Sequence, residues 1–345
     1  MVRMRRELED DYLHAPEDVS NFNESRYYNF FDQKLNMGGW VRMGNRPNED
    51  GGYAELTVCL YLPDGSVAFI YKKPKIEGHT EHNAGGLKFE VLKPYEEHRI
   101  TYGGHVCVLK HPREMANPRE AFQNNPFVGC TIDLHLKNVG PAWGGEPEWE
   151  EGEEKPDLDP EKMFARGHTE QHMESTGTIV VGDQTFNLTN AYGLRDHSWG
   201  PRFWQNVYWY RWLTVNLGPK LGFALTVAGN EEDPDARGAH GFLYDLDRYG
   251  DDRAVPIRKV ELTSDYDADW FPTANHVIVT TDDHVYDVKG DVWSTIPLRN
   301  RREGMVTRIT EGMTHWSYGD LKGAGLSEYL DQIIDETPVG TNVGI

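Results

Sequence analysis

Short apolar–polar alternations, each broken by Gly, Pro, Asn or Asp, run through this chain from end to end. Tyr53-Ala54-Glu55-Leu56-Thr57-Val58-Cys59-Leu60-Tyr61-Leu62 meets Pro63-Asp64-Gly65 and resumes as Ser66-Val67-Ala68-Phe69-Ile70-Tyr71. Two such runs around a turn tripeptide predict a β-hairpin. Residues 87–92, 98–102, 105–109, 131–136, 178–181, 221–227, 276–280 and 305–309 predict further strands. Helical periodicity is nearly absent. A short helix is expected at 118–122 behind an Asn117 cap, and another in the acidic N-terminal stretch. Many strands with few helices predict an all-β protein of barrels or sandwiches.

The 345 residues suit two domains, expected at 1–188 and 189–345. Residues 144–161 are rich in Pro and Glu and read as an acidic loop, or a lid over a pocket. Hydrophobic residues make up 38%, and no apolar run reaches the length of a membrane span, so no stable membrane insertion is expected. The first ten residues turn acidic where a signal peptide needs its apolar region, which points to the cytoplasm. A net charge of -21 opposes binding to nucleic acid or anionic membranes. Cys59, Cys107 and Cys130 are far apart in apolar contexts and read as buried thiols; no CxxC pair offers a zinc site.

The densest chemistry lies in Gly193-Leu194-Arg195-Asp196-His197-Ser198-Trp199-Gly200-Pro201-Arg202-Phe203-Trp204, with Tyr208-Trp209-Tyr210-Arg211-Trp212 close behind. Arg, Asp and His among indoles read as an acid–base group in an aromatic-walled ligand pocket. Burial among Trp199, Trp204, Tyr208 and Trp212 would raise the Asp196 carboxyl, and a neutral acid there could protonate a weakly basic centre. Arg195 and Arg202 would pull the other way on contact. The alternative is structural: Asp196 caps a turn and pairs with an arginine, while Gly200 and Pro201 shape the corner.

His168, Glu170, His172 and Glu174 share one face if their segment is extended. That face must line solvent or a polar cavity. The two histidines would also align on a helix, as in zinc helices, but the following Thr-Gly-Thr-Ile-Val-Val favours a strand. Spacing fixes no third ligand, so no metal is expected. His315-Trp316 lies on another aromatic strand that could face the same cavity. Arg42 and Arg46, in a Gly-rich segment, either point inward or mark a bend. No phosphate loop and no GxSxG elbow is present.

Arg195-Asp196-His197-Ser198-Trp199-Gly200-Pro201-Arg202, preceded by His168-x-Glu170-Gln171-x-x-Glu174, resembles the carotenoid hydratase (hydroxyneurosporene synthase) and AttH-like superfamily. Tyr27-Tyr28-Asn29-Phe30-Phe31, Gly38-Gly39-Trp40-Val41-Arg42, Tyr61-Leu62-Pro63-Asp64-Gly65, His315-Trp316-x-Tyr318-Gly319 and Glu328-Tyr329 fit the same pattern, most like a group of bacterial two-domain proteins. The resemblance spans most of the chain. It implies two lipocalin-like (calycin) β-barrels side by side, with a cavity between or inside them. Members of the superfamily add water to terpenoid double bonds without metal or organic cofactor, and fungal relatives catalyse cyclisations. Carried over, Asp196 would be the acid, and Trp199, Trp204 and Tyr208 would stabilise a carbocation through their π faces. His197 and Tyr210 would orient water or the acid.

The expected catalytic set is therefore Asp196, His197, Glu170 and His172. Substrate contacts are expected from Trp199, Arg202, Trp204, Tyr208, Tyr210, Trp212, Arg195, His168, His315 and Trp316. The expected activity is that of a cofactor-independent hydro-lyase acting on a hydrophobic terpenoid- or steroid-like molecule. A carrier of such a molecule, or an isomerase or cyclase, is the alternative. The expected partner is that small molecule, with no nucleic acid; a homodimer is allowed.

Overall fold

The computed structural model describes residues 3–149, 159, 163–203, 207–231, 238–250, 253–302 and 304–341. The first half carries β1 (Arg3–Arg5), β2 (Phe22–Asp32), β3 (Met37–Arg46), β4 (Tyr53–Tyr61), β5 (Val67–Lys72), β6 (His82–Ala84), β7 (Leu87–Lys93), β8 (Glu97–Leu109), α1 (Pro118–Asn124), β9 (Phe127–Asn138), β10 (Trp143–Glu148), β11 (Gly167–Val181) and β12 (Gln184–Pro201). The second half carries β13 (Trp209–Asn216), β14 (Leu221–Gly229), β15 (Gly238–Asp245), α2 (Leu246–Tyr249), β16 (Val255–Pro256), β17 (Lys259–Tyr266), β18 (Pro272–Thr280), β19 (Val285–Arg302), β20 (Met305–Tyr318), β21 (Leu321–Ile334) and β22 (Thr337–Pro338). The protein is all-β, as its alternation predicts.

Antiparallel pairing runs β11-β12-β2-β3-β4-β5-β8, and β9 joins β8 back to β11, so these eight strands close a barrel. The second sheet runs β16-β15-β14-β13-β21-β20-β19-β18-β17 and stays open as a half-barrel. The expected hairpin is β4–β5. The expected helix is α1, with Asn117 at its N-cap position but making no capping hydrogen bond through its side chain. The N-terminal acidic stretch forms one 3-10 turn at Leu8–Asp11. All three cysteines are buried and free. No helix among the described residues is long and apolar enough to cross a membrane.

Two expectations need correction. The start of the proposed loop is β10, because its backbone finds partners on both sides, in β1 and β11; residues 150–158 and 160–162 lie outside the described residues. The boundary expected at 188/189 falls inside β12, an unbroken strand of the barrel. The first sheet ends at Pro201 and the second begins at Trp209.

The two sheets pack face to face, so several barrel strands are buried on both sides. All eleven residues of β2 are buried. Tyr28 and Phe30 join the barrel core with Val41, Met43, Leu56 and Val58. Tyr27 and Phe31 point the other way, against Met313 and Leu326 of the second sheet. Asn29 crosses that seam, its amide donating to Thr214 Oγ1 at 3.1 Å. Close strand approach requires glycine at Gly193, where a Cβ would lie 1.8 Å from the Asn29 carbonyl oxygen.

Candidate active site between the sheets

A cavity of about 1010 Å³ opens in the seam between barrel and half-barrel. Its apolar wall includes Tyr27, Trp40, Phe69, Phe122, Trp212 and Ile309. This is the aromatic enclosure expected of a site for a hydrophobic ligand. Among its polar groups are two acid–base clusters, one from each sheet.

The barrel supplies His168 and Asp196, with Glu170 beside them. Glu170 and Asp196 are direct cross-strand partners in β11 and β12. His168 Nε2 hydrogen-bonds to Asp196 Oδ2. Burial alone would push the Asp196 carboxyl up, but His168 and then Arg202 outweigh it and hold it below the usual carboxylate range. Burial also opposes charge on His168, yet the adjacent Asp196 carboxylate carries the ring up to about 9. The two therefore form an ion pair at neutral pH. Glu170 is pushed up to about 7 by burial, with His168 opposing and Asp196 adding to the rise. Its Oε1 accepts the Trp212 indole N–H at 2.8 Å, a link from barrel to half-barrel. One nitrogen of His168 and one oxygen each of Glu170 and Asp196 lie within 4.8 Å of one another, a spacing that could also hold a cation.

The half-barrel supplies Glu311, Glu328 and Tyr210. Glu311 and Glu328 are cross-strand partners in β20 and β21. Burial raises both carboxyls, and each feels the other, so Glu311 stands well above the carboxylate range. Two carboxylates this close in an apolar wall share a proton rather than both ionise. The Tyr210 hydroxyl donates to Glu328 Oε1.

A domain of unknown function, DUF7064, matches residues 7–333. The chain belongs to that family. No curated protein matches it by sequence. Among solved structures, a protein described as an AttH from Nitrosomonas europaea superposes with a TM-score of 0.57 at 14% identity, over 92% of this chain and 96% of that one. CghA gives 0.55 at 10% identity, over 90% and 88%. Kievitone hydratase from Nectria haematococca gives 0.55 at 9% identity, over 96% and 94%. The chain thus shares the two-domain, lipocalin-like fold of these three structures.

In this DUF7064 member, strand alternation sorts the expected site residues. His168, Asp196, Arg202, Tyr210 and Trp212 line the cavity. Arg202 donates to Ser198 Oγ at 2.6 Å, and burial, with Arg42 nearby, lowers its guanidinium to about 9. Trp204 lies outside the described residues. The Arg-Asp-His-Ser-Trp run is part of β12 rather than a turn, so Arg195, His197 and Trp199 point into the barrel, away from Asp196. Arg195 pairs with Asp11 at 3.0 Å, His197 with Glu24 at 2.8 Å, and the Trp199 indole donates to Glu146 at 2.8 Å. None of these three reaches the cavity.

His172 shares the face of His168 but lies beyond the cavity, its Nδ1 3.0 Å from Asn216 Oδ1 and its ring against Tyr244. Burial holds it down to about 4, so it is a neutral packing residue. It forms no cluster with His168. Tyr208 and Trp316 pack in the core of the half-barrel, and His315 tilts against Trp293 at 6.0 Å. Trp316 is turned away from the seam by strand alternation, Tyr208 precedes β13, and His315 shares the face of Glu311 but lies beyond the cavity, so none of the three joins the expected site.

Arg42, Arg46 and Glu55 line the cavity as well, beside Glu311. Arg42 and Arg46 do point into the cavity, each paired with Glu55, at 3.6 and 3.4 Å. Glu311 escaped the sequence reading. Its one signal is that Ile309, Glu311 and Met313 share a strand face, as do Leu326, Glu328 and Leu330, which places a carboxylate where an aliphatic side chain belongs.

Proposed function

We propose that this protein is an enzyme of acid–base chemistry, a hydro-lyase of the hydratase/dehydratase type acting on a terpenoid- or steroid-like alkene or alcohol. The observation that carries this reading is the pair of proton-holding clusters facing one aromatic cavity: the ionised His168–Asp196 pair on the barrel, and the proton-sharing Glu311–Glu328 pair on the half-barrel. The likeness to a protein named kievitone hydratase adds support at the level of reaction type.

In the hydration direction, the proton shared by Glu311 and Glu328 passes to one alkene carbon, and the double-bond electrons form the new C–H bond. Positive charge develops on the other carbon. Trp212, Trp40 and Tyr27 offer π faces to it, and the Asp196 carboxylate offers negative charge. Water then adds to that carbon and loses a proton to Asp196. Dehydration is the reverse. Asp196 is here the base and charge stabiliser, because His168 and Arg202 keep it ionised. The acid implied by the resemblance is taken over by the glutamate pair. His168 positions Asp196, and Tyr210 positions Glu328.

The test is incubation of the protein with a panel of terpenoid and steroid alkenes and alcohols, read by mass spectrometry. Gain or loss of one water that vanishes in Asp196→Asn and Glu328→Gln is the expected result. Tight binding with no chemical change would overturn the enzyme in favour of a carrier. A product of unchanged mass would replace the hydro-lyase with an isomerase or cyclase.

A further inference from the structure

A second convergence of ligating side chains lies inside the barrel, on the far side of β2 and β12 from the cavity. Ser25 and Ser198 line the cavity, while their neighbours Glu24 and His197 point inward. Glu24 is fully buried, and four of the fourteen histidines gather on it. His14 Nδ1 lies 2.9 Å from Glu24 Oε1, and His197 Nε2 lies 2.8 Å from the same oxygen. His79 Nε2 lies 2.8 Å from Oε2, and His82 Nε2 lies 3.1 Å from the Glu24 carbonyl. The ligand atoms of His14, Glu24 and His197 all lie within 4.8 Å of one another.

Two imidazoles and one carboxylate form a common donor set for zinc and its neighbours. Hydrogen bonds alone leave a difficulty at His14. Its Nδ1 faces Glu24, and its Nε2 lies 3.6 Å from Asp10 Oδ1 with no hydrogen-bond partner. Whichever nitrogen of the neutral ring carries the proton, the other aims a lone pair at a carboxylate. A metal cation on Nδ1 removes the conflict and turns the Nε2–H toward Asp10, the carboxylate–histidine–metal arrangement of many sites. A second proton on the ring would also remove it; a metal ion removes it while taking His197 Nε2 and Glu24 Oε1 as further ligands. In a tetrahedral site with metal–nitrogen bonds of ~2.1 Å, neighbouring ligand atoms stand about 3.4 Å apart. The observed 2.8 and 2.9 Å contacts need open by only about half an ångström to admit the ion.

We infer that His14, Glu24 and His197 bind one divalent transition-metal ion, zinc or a close equivalent, with Asp10 and His79 orienting His14 and Glu24 from behind. The ion ties the N-terminal segment carrying His14 to β2 and β12 and closes that end of the barrel. This site is structural, and its existence does not depend on the reaction proposed for the cavity.

The test uses the full-length, untagged chain, stripped with EDTA, dialysed and titrated with zinc chloride. Calorimetry and elemental analysis count the bound ion, and thermal melts with and without zinc read its effect. One equivalent per chain and a rise in Tm are expected. His14→Phe keeps a ring stacked on Trp199, at 4.0 Å in the native protein, but removes the ligand atom. It is expected to match the metal-free melt of the native chain and to bind zinc about 10²-fold more weakly or worse. Absence of stoichiometric zinc uptake by the native chain would reduce the cluster to a hydrogen-bonded hub and overturn the inference. So would uptake kept in His14→Phe but lost in His168→Phe, which would place the ion in the cavity.

Discussion

Glu311 and Glu328 stand directly opposite each other on adjacent strands, both buried, with the Tyr210 hydroxyl donating to Glu328. A like-charged pair across two strands weakens a sheet unless a proton is shared between them. The half-barrel therefore carries a proton poised at the cavity wall, opposite an ion pair on the barrel that carries none to spare.

Removing one member of the glutamate pair should cost chemistry more than folding. Glu328→Gln keeps the shape and can still accept the Tyr210 hydrogen bond. It should lower kcat by about 10²–10⁴-fold, the usual contribution of a general acid. Native activity should persist through neutral pH and fall as pH rises through the raised carboxyl range, because the shared proton is then lost. A pH profile of kcat/KM checks this, and that alkaline limb should be missing in the variant.

The His168–Asp196 pair can be tested without a substrate. The His168 ring should titrate near 9 by NMR in the native protein. In Asp196→Asn, burial remains and the larger of the two carboxylate contributions is gone, leaving only Glu170 to favour the charged ring, so it should titrate well below its native position. A resonance still titrating near 9 would refute the pairing.

Inside the barrel, Asp11 accepts from Arg195 at 3.0 Å, His98 at 3.0 Å and the Tyr95 amide at 2.6 Å. Arg195 and Arg26 are both buried there. Asp11→Asn leaves two buried guanidiniums short of a counter-charge and should destabilise the fold by about 3–5 kcal/mol, read by urea unfolding. A loss under about 1 kcal/mol, the scale of an exposed pair, would mean that water reaches this network.

Stability should fall in mild acid. His98 and His172 are buried and neutral, each held down by burial to about 4 against an ordinary 6.5. Below about 6.5 the unfolded chain takes up these two protons first, so their contribution is whole above that pH and is lost as pH falls toward 4. These two rings alone should contribute a loss approaching about 3 kcal/mol per pH unit, from ~1.4 for each proton, and the other depressed histidines, His82, His197 and His240, add to it. Urea unfolding in chelator from pH 7 downward checks the slope. A flat profile over that window would show that both rings stay as protonated in the fold as in the unfolded chain.

Much of the fold is legible in the chain because strand alternation is local. The hairpin at 53–71, the short helix starting at Pro118 and the shared face of His168, Glu170, His172 and Glu174 all follow from local sequence over a few residues. The cluster Arg195-Asp196-His197-Ser198-Trp199 was harder to place. It looks like one pocket motif, yet a strand divides it, sending Asp196 to the cavity and its neighbours into the barrel. The aromatic run divides the same way: Tyr210 and Trp212 face the cavity, while Trp209 joins the half-barrel core.

Sequence alone determined the all-β class, many of the strands and the pairing of acid–base groups with aromatic residues, since each depends on residue type and a period of two. It also identified Asp196, His168, Tyr210 and Trp212 as candidates. Tertiary structure decided which of the two faces of each strand became the seam. It also brought Glu311 against Glu328 and linked Trp212 to Glu170 across the sheets. These outcomes depend on strand register and on the packing of two separate sheets. Both are set by burial summed over the whole molecule, and no local stretch of chain encodes that sum.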